Sequence, residues 1–283
     1  MSSTSQAITG RKLPEAQFRL QESFGQLDLT YIATLLSGQL AAYCVRGFLD
    51  SQRQRRIVEN FWNSTARTPR YGEGEGGIEG YFVGASHIEK TTQEYLNEAQ
   101  HFEEALAKLY QGTLDPLGLL RDRLRSGLMD VRAASHEGRP AGAAKAVYWN
   151  NVGEFLLLPH DDLAQLSDPR QAGFEIQQIE RVIAANFYAE MPTSGGELKV
   201  WNIEPDIQSR ERLGLTHSGF PYPAELLNGY AHMTIDIEAG DLVLLNGNLI
   251  HAVLGGAGAV PKRRLLITCF MGRLPTDELV WWT

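Results

Sequence analysis

The chain has 283 residues, 43% hydrophobic and 21% charged, with a formal net charge of -8 and two cysteines. That composition is ordinary for a globular protein, and no apolar run approaches the ~18 residues a membrane span needs. The acidic balance argues against a nucleic-acid partner. Cys44 and Cys269 stand too far apart for a CxxC zinc site and too few for a disulfide framework, which fits a reducing cytoplasm.

Residues 1–20 carry no apolar signal-peptide core and read as a mobile tail. Residues 21–130 read as a mainly helical part packed on a C-terminal core. Within it, Ala41–Arg46 has the texture of a short strand. Ser51–Trp62 reads as a helix capped by Asp50 or Ser51, with Ile57, Val58, Phe61 and Trp62 on one face. Arg53, Arg55 and Arg56 on that helix read as a solvated face. The stretch Tyr71–Gly80 is glycine-rich, but its glutamates would repel phosphate and no strand precedes it. It reads as a mobile surface loop, and Tyr71–Ser86 is a candidate lid. Glu89–Gln111 is the clearest helix, with Tyr95, Phe102, Leu106, Leu109 and Tyr110 along one face and Gly112 to end it. Asp115-Pro116 opens another that runs to about Gly127.

From Val131 the texture changes to short apolar and β-branched runs separated by turn signals. Candidate strands are Ala143–Trp149, Glu154–Pro159, Arg181–Glu190, Glu197–Asn202, Met233–Ile237, Asp241–Leu245, Ile250–Leu254 and Arg264–Met271. Their spacing predicts a mainly β fold with flanking helices, its core a jelly-roll (double-stranded β-helix, cupin-like) over residues 131–283, integrated with the helical part. Pro192–Gly196 reads as the turn of a hairpin.

His160-Asp161-Asp162 directly follows the apolar run Phe155–Leu158. On an extended chain, residues i and i+2 share a face, so His160 and Asp162 point together while Asp161 points away. A third ligand must come from elsewhere, and His251, after Gly240-Asp-Leu-Val-Leu-Leu-Asn-Gly-Asn-Leu-Ile, is the best placed. His217 and His232 are rivals, whereas His87, His101 and His136 read as structural or exposed. Two histidines and one carboxylate on one face of an octahedron leave open positions for a co-substrate and O2, as in non-haem iron(II) enzymes. Lys262-Arg263-Arg264 leads into the strand Leu265–Met271. A buried arginine there calls for an anion, which a guanidinium grips in bidentate fashion. Arg264 is favoured because Leu266, Thr268 and Phe270 share its face, and Thr268 adds a hydroxyl; Arg263 is the alternative.

In order and spacing, His160-x-Asp162, Gly195–Asn202, Gly240 to His251 and Arg263-Arg264 resemble the Fe(II)/2-oxoglutarate-dependent oxygenase superfamily. Within it, the chain is similar to freestanding enzymes on small molecules, the indole-alkaloid halogenases and N-acyl amino acid hydroxylases. The likeness begins at Tyr43–Asp50 and runs to the C-terminal end. It implies iron(II), 2-oxoglutarate and O2 as cofactor and co-substrates, with Arg264 or Arg263, aided by Thr268, on the far carboxylate of 2-oxoglutarate. In the halogenases a glycine or alanine replaces the metal-binding aspartate and opens a site for chloride; Asp162 stands here instead. The expectation is therefore hydroxylation of an unactivated C–H in an amino acid, an amino acid derivative or a natural-product intermediate. Desaturation, cyclisation, halogenation or a non-catalytic ligand-binding jelly roll are the alternatives. Tyr148, Asn150 and Trp201 are candidate substrate contacts, and a homo-oligomer is compatible with the sequence.

Overall fold

The computed structural model describes residues 8–69, 80–127, 130–149, 154–255 and 264–283. Two facing sheets form its centre. The larger runs in the order Leu20–Phe24, Ala42–Arg46, Leu242–Asn246, Val182–Glu190, Arg264–Arg273, Lys145–Trp149, Gly80–Val83 and Thr68–Pro69. Leu279–Trp282 pairs with the second half of the Arg264–Arg273 strand, continuing the edge begun by Lys145–Trp149. The smaller sheet runs Phe155–His160, His251–Leu254, Leu198–Trp201 and His232–Ile235, all antiparallel. This is the jelly-roll arrangement, and each strand expected from residue 131 onward is present.

The central strands are apolar on both sides because both sides are covered. Ile183, Ala185, Phe187, Leu265, Ile267, Cys269 and Met271 face helices; Val182, Ala184, Tyr188, Leu266 and Phe270 face the smaller sheet. Helix Ser51–Asn63 starts where the Asp50 carboxylate accepts from the backbone N–H of Gln52 and Arg53, and it buries Ile57 and Phe61. Helix Thr92–Leu109 starts three residues later than expected, because Thr91 and Glu94 form a reciprocal capping box. Helix Pro116–Ser126 has the anticipated Asp115 cap and ends at Gly127. These helices lay Leu106, Leu109, Leu117, Leu120 and Leu124 on the outer face of the larger sheet. Each such buried leucine contributes about 1.5–3 kcal/mol. Among the described residues, no helix is long and apolar enough to cross a membrane.

Several expectations are corrected. Residues 8–20 are not a tail: Gly10–Arg11 pairs with Glu204–Pro205, Ile8 is buried, and the Leu13 N–H donates to Asn202 Oδ1 at 2.8 Å. Residues 21–130 are not only helical, since Leu20–Phe24, Ala42–Arg46 and Gly80–Val83 are strands of the larger sheet. Helices Leu29–Leu36 and Ile207–Leu213 were also not anticipated. Pro192–Gly196 is not a hairpin turn. It carries the chain from Val182–Glu190 in the larger sheet to Leu198–Trp201 in the smaller. The turn at Asn246-Gly247-Asn248 makes a second such crossing, and this brings His251 across to the smaller sheet. That turn is held by Asn248, whose Oδ1 accepts from the Val182 N–H at 2.9 Å and whose Nδ2 donates to Glu180 O at 2.9 Å. Of the Tyr71–Ser86 stretch, residues 71–79 lie outside the described residues.

Candidate metal centre and active site

His160 ends one strand of the smaller sheet and His251 opens its neighbour, and the two are cross-strand partners. Their rings stand 4.2 Å apart between centroids. Each Nδ1 lies beside a carbonyl two residues back, Leu158 O at 2.8 Å and Leu249 O at 2.9 Å. Donation there fixes the tautomer and leaves both Nε2 atoms as lone-pair donors. Asp162 lies just past the strand, its Oδ1 at 3.8 Å from His160 Nε2 and its Oδ2 at 3.5 Å from His251 Nε2. One ligand atom from each residue falls within 4.8 Å of the other two, and all three residues are buried. Asp162 Oδ2 is buried with no hydrogen-bond partner among the described residues. Burial pushes the Asp162 carboxyl up to about 6 and His251 down to about 4. At neutral pH this gives an ionised carboxylate and a neutral imidazole, the forms a cation requires. The set fits a divalent iron.

Asp161 has the opposite fate, as strand alternation predicts. It is fully buried, takes Arg210 Nη2 at 2.8 Å and Nε at 3.2 Å, the Tyr222 hydroxyl at 2.8 Å and the Ala164 N–H at 3.0 Å. On the other side of the chain, the Asp162 N–H donates to Gly247 O at 2.7 Å. A Cβ on Gly247 would lie 2.6 Å from Asp162 Oδ2, so this position has to be glycine for the carboxylate to sit there.

The centre opens into a cavity of about 970 Å3 between the sheets. Arg264, Leu266, Thr268 and Phe270 line it from the larger sheet, on the one face expected of them. Arg264 is 2% exposed; its Nη2 reaches the Tyr188 hydroxyl at 3.3 Å, and its Nε has no partner among the described residues. The guanidinium lies beside the Trp149 and Tyr188 rings, 5.5 and 4.9 Å from their centroids. Burial pushes its pKa down, and a guanidinium placed this way can receive an anion. Thr268 stands opposite Asn186 in the register, and both line the same wall.

Two expected substrate contacts are corrected. Tyr148 is buried on the outer face, packed with Phe61, Trp62 and Tyr81. Lys145, Val147 and Trp149, the alternate residues of its strand, line the cavity instead. Trp201 packs away from the cavity with Ile203, Tyr222 and Ile250. Its parity could have been read, because it shares a face with Lys199, whose ammonium lies 5.0 Å from its ring centroid. Asn150 and Arg263 lie outside the described residues. Of the rival histidines, His217 lines the cavity mouth and bonds Ser167 Oγ at 3.0 Å, while His232 is exposed on an edge strand. The chain's approach at Gln165, Asp168, Arg170 and Gln171 also lines the cavity. It was missed, since its short 3-10 turns show no periodicity.

The fold, the family match and the relatives together define the class: the chain is a member of the Fe(II)/2-oxoglutarate-dependent oxygenase superfamily. Within it, residues 26–282 match the model of the carrier-protein-independent halogenase WelO5 family, and the chain belongs to that family. An L-isoleucine 3(1)-dioxygenase from Pantoea ananatis strain AJ13355 is 28% identical over 249 residues, 85% of this chain and 83% of the relative. An L-gamma-glutamyl-L-propargylglycine hydroxylase from Streptantibioticus cattleyicolor is 31% identical over 176 residues, 60% of each chain. The crystal structure of an N-substituted L-amino acid dioxygenase from Burkholderia ambifaria AMMD shares the fold, with a TM-score of 0.54, 14% identity and 90% coverage of each chain.

Proposed function

We propose that this protein is a dioxygenase that hydroxylates an unactivated C–H of a small molecule, an amino acid or amino acid derivative, with His160, Asp162 and His251 holding iron(II). The observation that carries this reading is the buried Asp162 carboxylate, whose Oδ2 has no hydrogen-bond partner among the described residues and lies 3.5 Å from His251 Nε2, with Oδ1 3.8 Å from His160 Nε2. Bound iron, 2-oxoglutarate and O2 supply the oxidising power, one oxygen atom entering the product and the other the succinate formed with CO2. The rest is the work of the chain. Arg264 and Thr268 hold the far carboxylate of 2-oxoglutarate, and the buried arginine gains the counter-charge it lacks. Asp161, through Arg210 and Tyr222, fixes the backbone that carries both His160 and Asp162. Val147, Leu157, Leu198, Val253 and Leu266 give the cavity apolar walls that exclude water and fit an aliphatic group.

Membership of a family named for halogenation does not carry chlorination over, because Asp162 fills the position that a chloride would need. The cysteines are both buried and unpaired, which suits a reducing cytoplasm. The test is anaerobic loading with Fe(II) and 2-oxoglutarate, then O2, with a panel of free and N-modified amino acids. Succinate and hydroxylated product in equal amounts are expected. No succinate with any substrate and no iron bound to the folded protein would sink the reading, and chlorinated product in chloride buffer would overturn the role given to Asp162.

A further inference from the structure

Residues 8–13 are tied to the smaller sheet and its surroundings at several points. Ile8 packs with Trp201, Ile203 and Tyr222, on the side of the smaller sheet away from the cavity. The Leu13 N–H and carbonyl both bond the Asn202 side-chain amide, at 2.8 and 2.9 Å. Between these anchors, Thr9 grips helix Ile207–Leu213. Its N–H donates to Ser209 Oγ at 2.7 Å, and its Oγ1 lies 2.9 Å from the same atom. Its carbonyl accepts from the Asp206 N–H at 3.0 Å and from Ser209 Oγ at 3.1 Å. Gly10 shows how closely this segment is seated: a Cβ there would lie 1.9 Å from Glu204 O and 2.9 Å from Asp206 N. The helix has only seven residues, too few to hold itself without tertiary contacts. The residue after Ser209 is Arg210, which bonds the buried Asp161 carboxylate at 2.8 and 3.2 Å. Asp161 in turn stands between His160 and Asp162. A buried ion pair gains its attraction only in good geometry, so the seat of this helix matters to the backbone on either side of Asp161.

Resting on the reading that His160, Asp162 and His251 hold iron(II), we propose that residues 8–13 are a positioning strap for the metal centre. Thr9, Gly10 and Ser209 are its positioning residues, acting through Arg210 and Asp161 without touching metal or substrate. Seated, the strap fixes the short helix and so the guanidinium against Asp161. Lifted, it frees the helix, and the two ligands flanking Asp161 lose their common anchor. Ordering them again on metal binding is then drawn from iron affinity. His251, on a neighbouring strand, and Arg264, on the larger sheet, lie outside this path.

The experiment measures the Fe(II) affinity of the full-length anaerobic apoprotein by competition with a coloured chelator, with chemical denaturation of each variant alongside. Gly10→Ala, which lifts the strap without removing a polar group, should weaken iron binding by roughly tenfold, the lower end of the loss expected for an outer-shell partner. Ser209→Ala should weaken it by roughly three- to fivefold, since the backbone bond from Asp206 to Thr9 survives. Ser23→Ala is the control for stability alone. Its Oγ bonds Gln26 O and the Tyr43 hydroxyl, each at 2.6 Å, at the edge of the larger sheet. That variant should lose stability and still bind iron as wild type does. In iron-saturated protein the Kd for 2-oxoglutarate should hold at the wild-type value in all three. Wild-type iron affinity in folded Gly10→Ala or in Ser209→Ala, or an equal loss of affinity in Ser23→Ala, overturns the strap. Should Gly10→Ala fail to fold, Ser209→Ala against Ser23→Ala decides. A wild type that binds no Fe(II) overturns the metal-site reading and this inference together, whereas iron binding that the variants leave untouched removes the strap alone.

Discussion

Along the Arg264–Arg273 strand, Leu265, Ile267, Cys269 and Met271 face the helices, whereas Arg264, Leu266, Thr268 and Phe270 face the cavity. One strand thus supplies both a stabilising face and a working face, separated only by the period of two. The outer face has no strongly polar atom to satisfy. The inner face keeps Arg264, whose Nε is unpartnered among the described residues. The two adjacent aspartates repeat the contrast within one dipeptide: Asp161 is saturated by Arg210, Tyr222 and a backbone N–H, while Asp162 keeps a buried oxygen unmatched among the described residues. Burial alone does not distinguish them, since both are buried. What separates structure from function here is whether the protein itself completes the hydrogen bonding.

The sharpest break of that contrast is Asp162→Ala. It should abolish iron retention and cut hydroxylation by roughly a thousandfold or more. Its melting temperature should be unchanged or higher, because an unmatched buried carboxylate is removed. Iron content and a thermal melt, read together, check this. Asp161→Ala should do the reverse kind of damage, leaving Arg210 buried without its counter-charge and costing about 3–5 kcal/mol in denaturant unfolding. Equal stability of the two variants would erase the distinction.

The two faces of the larger sheet allow a paired test. Ile267→Ala on the outer face should cost about 2–5 kcal/mol of stability through the cavity it leaves. The KM for 2-oxoglutarate should not move. Arg264→Met on the inner face should raise that KM by roughly 10- to 100-fold while stability holds or rises. Steady-state kinetics against chemical denaturation separates the outcomes, and a large stability loss in Arg264→Met would contradict the anion-site role.

The smallest expected effect concerns pH. His87 is buried at the edge of the inner layer against Tyr95, Phe270 and Trp282, and burial, with Lys145 nearby, pushes its pKa down to about 3. The unfolded chain protonates this histidine near its ordinary value while the folded protein refuses the proton. Its contribution is therefore complete above pH ~6.5 and is lost as pH falls toward 3, reaching about 2 kcal/mol lost by pH 5. His87→Gln should remove that part of the slope between pH 7 and 5, measured by unfolding at each pH. An unchanged slope would mean that His87 is protonated in the folded state.

Local pattern made much of this legible in the sequence. Strand alternation separates Asp162 from Asp161 and places Arg264, Leu266, Thr268 and Phe270 on one face, because a pleated chain has no other option. Caps such as Asp50 and Asp115 mark helix starts by the same local chemistry. Parity fails where both faces of a strand are apolar. Lys145–Trp149 carries no local sign that Tyr148 faces the helices and Trp149 the cavity, since that depends on what covers each side. Sheet membership is likewise nonlocal, so a turn at Pro192–Gly196 that looks like a hairpin can serve as a crossing between sheets. The cavity wall at Gln165 and Gln171 lies in aperiodic backbone and becomes visible only once the cavity is closed around it. The sequence by itself singled out His160 and Asp162 with His251 as the best-placed third candidate beside His217 and His232, the arginine strand, and the jelly-roll class, all from spacing along one chain. Tertiary structure decided which polar atoms remain unmatched, because that depends on neighbours brought together from distant parts of the chain.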